Sequence, residues 1–376
     1  MPAAADSTIE IVGAGPAGLA AAITAARGGA RVVVHERAQR VGSRFHGDFQ
    51  GLENWTTAGD VLDEVRALGI AADFLAAPRR QQVCFGPGGE AYDVASPDPF
   101  YYLVQRGPEG ASIERSLLRQ ALAAGVDVHF GSTVRTLPRG GVYAGGPRVA
   151  EVIAAGHLFE TDLPDGAWAA LGEQLAPAGY AYLLVHGGRG TLSVCLFRAF
   201  QGVKACLARA VAFFERRIGL TMREARPFGG VGNAAMPATA VAGGVLLAGE
   251  AAGFQDPLWG FGIRHALLSG QLAARALLAG RPGDYDRLWR QRLGGTMRAS
   301  TVLRFFYSHI GDRGYRVFLR TLSSAPDPRA WLRRRYSASR WKRVLYPLVR
   351  QRALPLGAAA RARTARVGVA VPRPAG

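Results

Sequence analysis

The sequence predicts an α/β protein: a parallel-sheet fold with an inserted mixed-sheet module and a helical C-terminus. Two glycine turns and one change of pattern predict it. Gly13–Gly18 joins a β-branched run to a small-residue helical stretch, and a second turn, Gly249–Gly262, again follows a buried run and opens a helix. Between them, from about Leu158 to Ala240, the pattern becomes alternating strands with one helix near Val203–Ile218.

In order along the chain, Ile9–Val12 reads as a strand that stops at Gly13-Ala14-Gly15-Pro16-Ala17-Gly18, a G-x-G-x-x-G turn. Leu19–Ala26 is helix-favouring, closes on Gly28-Gly29 and yields to a second buried strand, Arg31–Val34. In such a βαβ unit Gly13 permits the tight turn, Gly15 admits a pyrophosphate to the backbone and Gly18 lets helix and sheet approach. The N–H groups and dipole of the helix N-terminus then face the diphosphate. Glu36 ends the second strand 18 residues after Gly18, where a carboxylate accepts from both ribose hydroxyls and repels a phosphorylated ribose. An accidental turn in a chain of 49 Gly would not bring strand, helix, strand and acid together in this order. The turn by itself does not separate FAD from NAD.

Residues 41–55 form a polar, aromatic loop of no regular period, a length that usually signals function or disorder. Ala58–Leu68 reads as an amphipathic helix, and Gln82–Phe85 and Ala91–Val94 as short antiparallel strands. Phe100–Arg106 is a strand, Ser112 caps a helix running to Ala124, and Gly125–Phe130 returns to the sheet. Val149–Ile153 is a further strand ending at Ala154-Ala155-Gly156; Val245–Gly249 is buried, and helix follows to about Thr321. The expected units are residues 1–157 with 241–280 (nucleotide binding, sharing some strands of 80–105 with the module), 158–240 (substrate module), 281–327 (helical) and 328–376 (a basic tail).

The 376 residues are 49% hydrophobic, enough for a continuous core. Three separated cysteines suggest neither a disulfide framework nor a zinc site, and a reducing compartment fits them. The N-terminus has no basic n-region, and no apolar run approaches the ~18 residues that span a bilayer, so a cytoplasmic location is expected. The net charge of +18 is concentrated at one end: thirteen bases and no acid follow Asp327, leaving a body of 33 basic and 28 acidic residues.

The segment Gly249-Glu250-Ala251-Ala252-Gly253, then Pro257 and Gly260-Phe261-Gly262-Ile263, resembles the second FAD fingerprint of flavoproteins related to aromatic hydroxylases and geranylgeranyl reductases, with Glu250 for the family's Asp. The resemblance implies a Rossmann-like FAD-binding domain of the glutathione-reductase type. It further implies that Glu250 serves the ribityl or pyrophosphate region and that Gly260–Gly262 aim a helix N-terminus at the flavin N1 and C2 carbonyl. It extends to Pro16, Ala17 and Arg37 in the first turn and strand end, and to Arg44 over the cofactor. Gln105 and Arg106 would be polar contacts, Val134 would lie at the adenine, and Gly156 would close the nucleotide fold. Gly179–His186 with residues 44–55 is similar to the prenyl-pocket elements of the geranylgeranyl reductase group, although Val185-His186 replaces a proline and the cysteine motif is missing around residues 42–48.

The implied activity is FAD-dependent reduction of carbon–carbon double bonds in an isoprenoid or other lipid-like substrate, with NAD(P)H or another donor recharging the flavin. The alternatives are a flavin monooxygenase acting on an apolar or aromatic substrate and a flavin-binding protein without catalysis; halogenation is disfavoured because Tyr180–Val185 departs from the expected W-x-W-x-I-P. His46, Asp48 and His186 are the acid/base candidates, since their loop and strand are expected to face the flavin. Cys84, Cys195 and Cys206 read as buried apolar fillers. In the tail, aromatic and aliphatic residues interleave with bases, which suits contact with the anionic inner face of a membrane rather than specific nucleic-acid binding.

Overall fold

The computed structural model describes residues 8–354. Its elements are β1 (Thr8–Val12), α1 (Pro16–Arg27), β2 (Arg31–Glu36), β3 (Phe49–Glu53), α2 (Val61–Ala67), β4 (Ala76–Arg79), β5 (Gln81–Phe85), β6 (Ala91–Ala95), β7 (Tyr101–Gln105), α3 (Ile113–Ala123), β8 (Asp127–Phe130), β9 (Gly141–Tyr143), β10 (Val152–Glu160), β11 (Gly166–Ala170), β12 (Tyr180–His186) and β13 (Arg189–Leu196). There follow α4 (Val203–Ile218), β14 (Arg223–Gly232), β15 (Val241–Ala242), β16 (Val245–Leu247), α5 (Ile263–Leu278), α6 (Tyr285–Arg292), α7 (Gly294–Ser323), α8 (Pro328–Tyr336) and α9 (Arg340–Val349).

The β-branched run of β1 is buried because it is an inner strand: it pairs in parallel with β2, Ile11 opposite Val34, and with β9, Ile11 opposite Val142. The full order of this sheet is β15-β16-β9-β1-β2-β8, parallel except for the β15–β16 hairpin. Proline at the first helical position suits the start of α1. A side chain at Gly18 would strike the carbonyl of Gly13, and one at Gly270 in α5 would strike that of Ala17. Helix against turn, and helix against helix, therefore meet backbone to backbone, fixing both helix N-termini near the ends of β1 and β16.

A second sheet, β14-β10-β13-β12-β11-β5-β6, is mixed. Alternation on β12 divides its residues between two layers. Leu183 and Val185 pack under α4 with Cys206, Ala210 and Phe214, whereas Tyr180, Tyr182 and Leu184 face the cluster that holds Leu319, Leu322 and Trp331 of α7 and α8. A small third sheet, β3-β7-β4, is antiparallel, and its strands fall between β2 and β8 in the chain.

The strand at Val149–Ile153 and its turn at Gly156 do not close the nucleotide fold: Gly156 lies within β10, paired with Ser193 and Phe228 in the mixed sheet. The closing strand is the short β9, whose turn is Ala144-Gly145-Gly146. Residues 328–354 are not a detached tail, because α8 buries Trp331, Leu332 and Tyr336 and its Arg329 donates to the carbonyls of Asn54 (2.7 Å) and Gly59. The bases expected at 361, 363, 366 and 373 lie outside the described residues.

Candidate active site

One cavity of about 1260 Å³ joins the two glycine turns to the space between the mixed sheet and the C-terminal helices. Its nucleotide end begins at the first turn. Gly13 has φ +96°, and a Cβ there would meet the Ala144 carbonyl, so glycine is required twice over. Gly15 differs: its φ of −80° admits any residue, and an added Cβ would meet nothing within 4 Å. The protein itself gives no reason for a glycine there; a ligand lying against the backbone does.

Glu36 is held by Ala14 N–H donating to Oε2 (2.8 Å) and Ala38 N–H donating to Oε1 (2.9 Å). The carboxylate is thereby fixed at the cavity wall beside Arg37, with Val134 also on that wall. Pro16 and Ala17 start α1, whose first-turn N–H groups lack intrahelical acceptors.

The second turn enters the same cavity. Gly249, in the left-handed region at φ +59°, and Glu250 follow β16, and Glu250 is ion-paired with Arg44 from the 41–55 loop. Arg44 also donates to the Val231 carbonyl, so it ties the loop to both the turn and β14. Gly260, Phe261, Gly262 and Ile263 line the wall, with Gly260 at φ +80°. That turn is clamped from three directions. Arg304 of α7, wholly buried, donates to the Leu258 carbonyl (2.9 Å), Tyr180 of β12 to that of Trp259 (2.6 Å), and Tyr336 of α8 to Asp256 Oδ2 (3.0 Å). Within the turn Trp259 N–H donates to the same Asp256 oxygen (2.8 Å) and Asp256 N–H to the Phe261 carbonyl (2.7 Å). The start of α5 is thus set in place by elements from the rest of the chain, a preorganised positive helix end.

The remaining candidates separate. Arg106 lines the cavity, buried against Glu114 (2.6 Å), with its Nη1 donating to Gln50 (2.6 Å) and its guanidinium 3.9 Å over the Phe45 ring; it shapes the loop. Gln105 is buried beside Gly110 and is not part of the cavity wall. Asp48 reaches the wall but both oxygens are engaged within its own loop, accepting from His46 N–H (3.1 Å) and Gln50 Nε2 (2.8 Å). His46 is exposed at the wall. His186 shares the face of Tyr180, Tyr182 and Leu184 but is the last residue of β12, beyond the cavity wall, where its Nδ1 is hydrogen-bonded to Asp165 and its ring meets the edge of Phe49.

The far part of the cavity is apolar. Tyr182 and Leu184 face it from β12, Trp168 and Leu171 from β11 and its end, and Phe318, Leu322 and Leu332 from α7 and α8. Cys84 and Cys195 also line it, their thiols pushed up to about 12 by burial and so neutral. Neither the Ala144–Gly146 turn nor the α7 and α8 wall was anticipated. The first is preceded by a strand of only three residues, and the second comes from helices whose inward face is indistinguishable in sequence from ordinary core.

Behind the second turn, and off the cavity wall, Glu53 and His265 are buried with 3.6 Å between Oε1 and Nδ1. Burial pushes Glu53 up to about 8 and His265 down to about 3, so at neutral pH they are a neutral contact rather than an ion pair.

Against this geometry, the family model described as FAD dependent oxidoreductase matches residues 9–155. A digeranylgeranylglycerophospholipid reductase of Methanothrix thermoacetophila is 24% identical over 372 residues, covering 84% of this chain and 91% of the relative. One of Methanosphaerula palustris is 26% identical over 338 residues, covering 75% and 81%. Among solved structures, a geranylgeranyl bacteriochlorophyll reductase-like protein from Thermoplasma acidophilum superposes with a TM-score of 0.70 at 19% identity, covering 91% of this chain and all of that one. A flavin-dependent brominase gives 0.64 at 19% identity, covering 88% and 93%.

Proposed function

We propose that this chain, an FAD-dependent oxidoreductase of the geranylgeranyl reductase and aromatic hydroxylase-like superfamily, reduces carbon–carbon double bonds of an isoprenoid lipid. The observation that carries the substrate class is the continuity of one cavity from the two glycine turns into an apolar space walled by β11, β12, α7 and α8. No charged side chain lines that far end, which suits a hydrocarbon chain and not a small anionic acid. In this reading the mixed sheet is the substrate layer set into the FAD-binding fold.

Gly13, Gly15, Pro16 and Ala17 would hold the pyrophosphate, with Gly18 off the cavity wall and packing α1 against the turn; Glu36 would take the adenosine ribose with Arg37 and Val134 beside it, and Glu250 with Arg44 the middle of the cofactor. Gly260–Ile263 would take the flavin end, where the N-terminus of α5 favours negative charge. The chemistry that FAD held by these residues would supply is hydride donation to one alkene carbon, with NAD(P)H or another donor as the source of the electrons. A proton for the other carbon must come from a group at the cavity, and His46, exposed at the wall, is the candidate that the geometry leaves. Asp48 orients the loop that carries it. Lipids of this kind reside in bilayers, so the reading includes peripheral contact with an anionic membrane face. Among the described residues no helix is long and apolar enough to cross a membrane.

The test is an anaerobic single turnover of dithionite-reduced holoprotein with a detergent-dispersed unsaturated isoprenoid glycerolipid. Mass spectrometry should show a gain of two hydrogens per reduced bond. Gain of an oxygen atom on exposure to air, without hydrogenation under anaerobic conditions, would replace reduction by oxygenation.

A further inference from the structure

We propose that the outer face formed by α7 and α9 is the surface by which this protein docks on an anionic lipid bilayer, a proposal that rests on the lipid-reductase reading. The helix α9 would ordinarily bury its large apolar residues, yet Trp341, Val344 and Leu348 are 50%, 69% and 68% exposed. Their spacing of three and four residues places them on one stripe. The opposite face is the packed one: Val349 is buried, and Lys342 turns inward, its Nζ donating to the carbonyls of Ser337 (3.0 Å) and Arg335 at the end of α8. The inverted pattern is therefore anchored rather than a frayed end.

The stripe continues onto α7. Phe306 and Ile310, one helical turn apart, are both exposed, and the Phe306 ring centroid is 6.4 Å from that of Trp341. Contiguous exposed apolar surface of this kind marks an interaction site. Arg340, Arg343 and Arg350 are exposed beside the stripe, and no acidic residue occurs after Asp327. Aromatic and aliphatic side chains flanked by arginines match the interface and headgroup layers of an anionic bilayer together.

The position of this face supports a lipid partner rather than another protein. Phe318, Leu319 and Leu322, on the C-terminal part of the same helix α7, line the apolar end of the cavity. The bilayer surface and the hydrocarbon pocket would thus share one helix.

The experiment is co-flotation of the full chain with vesicles of phosphatidylcholine containing phosphatidylglycerol, against phosphatidylcholine alone. Binding is expected to the anionic vesicles, to weaken with salt, and to fall about tenfold or more in the double variant Trp341→Ser, Leu348→Ser and in the triple variant Arg340→Gln, Arg343→Gln, Arg350→Gln. All five side chains are exposed, and unchanged FAD content and melting temperature would show that the fold is intact. Equal flotation of wild type and both variants, or no flotation of wild type, overturns the docking face. A wild-type dimer that becomes monomeric in the serine variant, with no vesicle binding, also overturns it and makes the face a self-interface. Reduction of detergent-dispersed lipid is measured in parallel: if it persists while flotation fails, the docking proposal falls and the reductase reading stands.

Discussion

At the level of single residues, the clearest separation is between glycines the protein needs and a glycine only a ligand needs. Gly15 has open space where a side chain would project, and its backbone is in an ordinary region. Gly15→Val should therefore leave the unfolding free energy of the cofactor-free protein almost unchanged, within roughly 0.5 kcal/mol. Its flavin content after reconstitution should fall about tenfold or more, read from the visible absorbance, since even 1.4 kcal/mol of lost contact is tenfold. Retention of full FAD would show that the pyrophosphate does not lie there. Glu53 gives a second residue-level prediction. Its folded value of about 8 is above the ordinary carboxylate value, so between about 4.5 and 8 the folded protein holds a proton that the unfolded chain releases. Stability from this group is complete below 4.5 and is lost as pH rises to 8, with a slope of up to about 1.4 kcal/mol per pH unit. His265 acts oppositely, its depressed value weakening the fold as pH falls from 6.5 towards 3. Where the two windows do not overlap, between about 6.5 and 8, Glu53→Gln should flatten the decline in denaturant midpoint; an unchanged slope would refute the assignment.

At the scale of elements, α7 is the least regular piece. Gly311 interrupts it with φ +57° and ψ −168°, a combination open essentially to glycine, and the helix resumes with the residues that wall the cavity. Gly311→Ala should cost about 1–3 kcal/mol in unfolding experiments, and an unaffected midpoint would mean the break is not required. This break also shows why some elements could be read from the sequence and others not. The unit β1–α1–β2 was legible because period, turn and acid coincide over residues 8–37, whereas for Tyr180–Val185 only the stretch was: its alternation in the structure sends Tyr180, Tyr182 and Leu184 to the cavity and Leu183 and Val185 under α4. The turn after β9 was displaced by ten residues because Gly141–Tyr143 is too short to carry a period, whereas Val149–Gly156 has a strand-like run and a glycine of its own. His186 keeps the same alternation as Tyr180, Tyr182 and Leu184, but the strand carries it past the end of the cavity, a distance that periodicity does not report. The contribution of α8 was hidden by composition: Arg333, Arg334 and Arg335 suggest a solvated tail, while the residues between and around them, Trp331, Leu332 and Tyr336, do the packing.

For the molecule as a whole, the site belongs to no single segment. One wall comes from the first fifty residues, another from the mixed sheet and a third from helices near the end of the chain. The cavity's length is consequently set by α7 and α8, which predicts a change of chain-length preference far from the glycine turns. Leu322→Trp, which fills the apolar end, should raise KM for a long isoprenoid chain about tenfold while leaving a short prenyl substrate and FAD content little affected, the overpacking cost being about 1–3 kcal/mol. Equal effects on both substrates would place the hydrocarbon elsewhere.

The division of the nucleotide site between the start of the chain and residues 248–263 also sets an order of events during synthesis. A ribosome adding roughly 5–20 residues per second needs about 12–47 s to travel from the first glycine turn to the second. β1 has β2 beside it early and gains β9 on its other side about midway, but until the end of that interval β9 lacks β16 and α1 lacks the close backbone contact with α5. The half-built sheet must wait with an unpaired edge, and flavin can be captured only after the second turn has left the exit tunnel. Incorporation of the coenzyme is therefore a late act in the birth of each molecule, and limiting riboflavin during expression would leave complete but colourless chains rather than truncated ones.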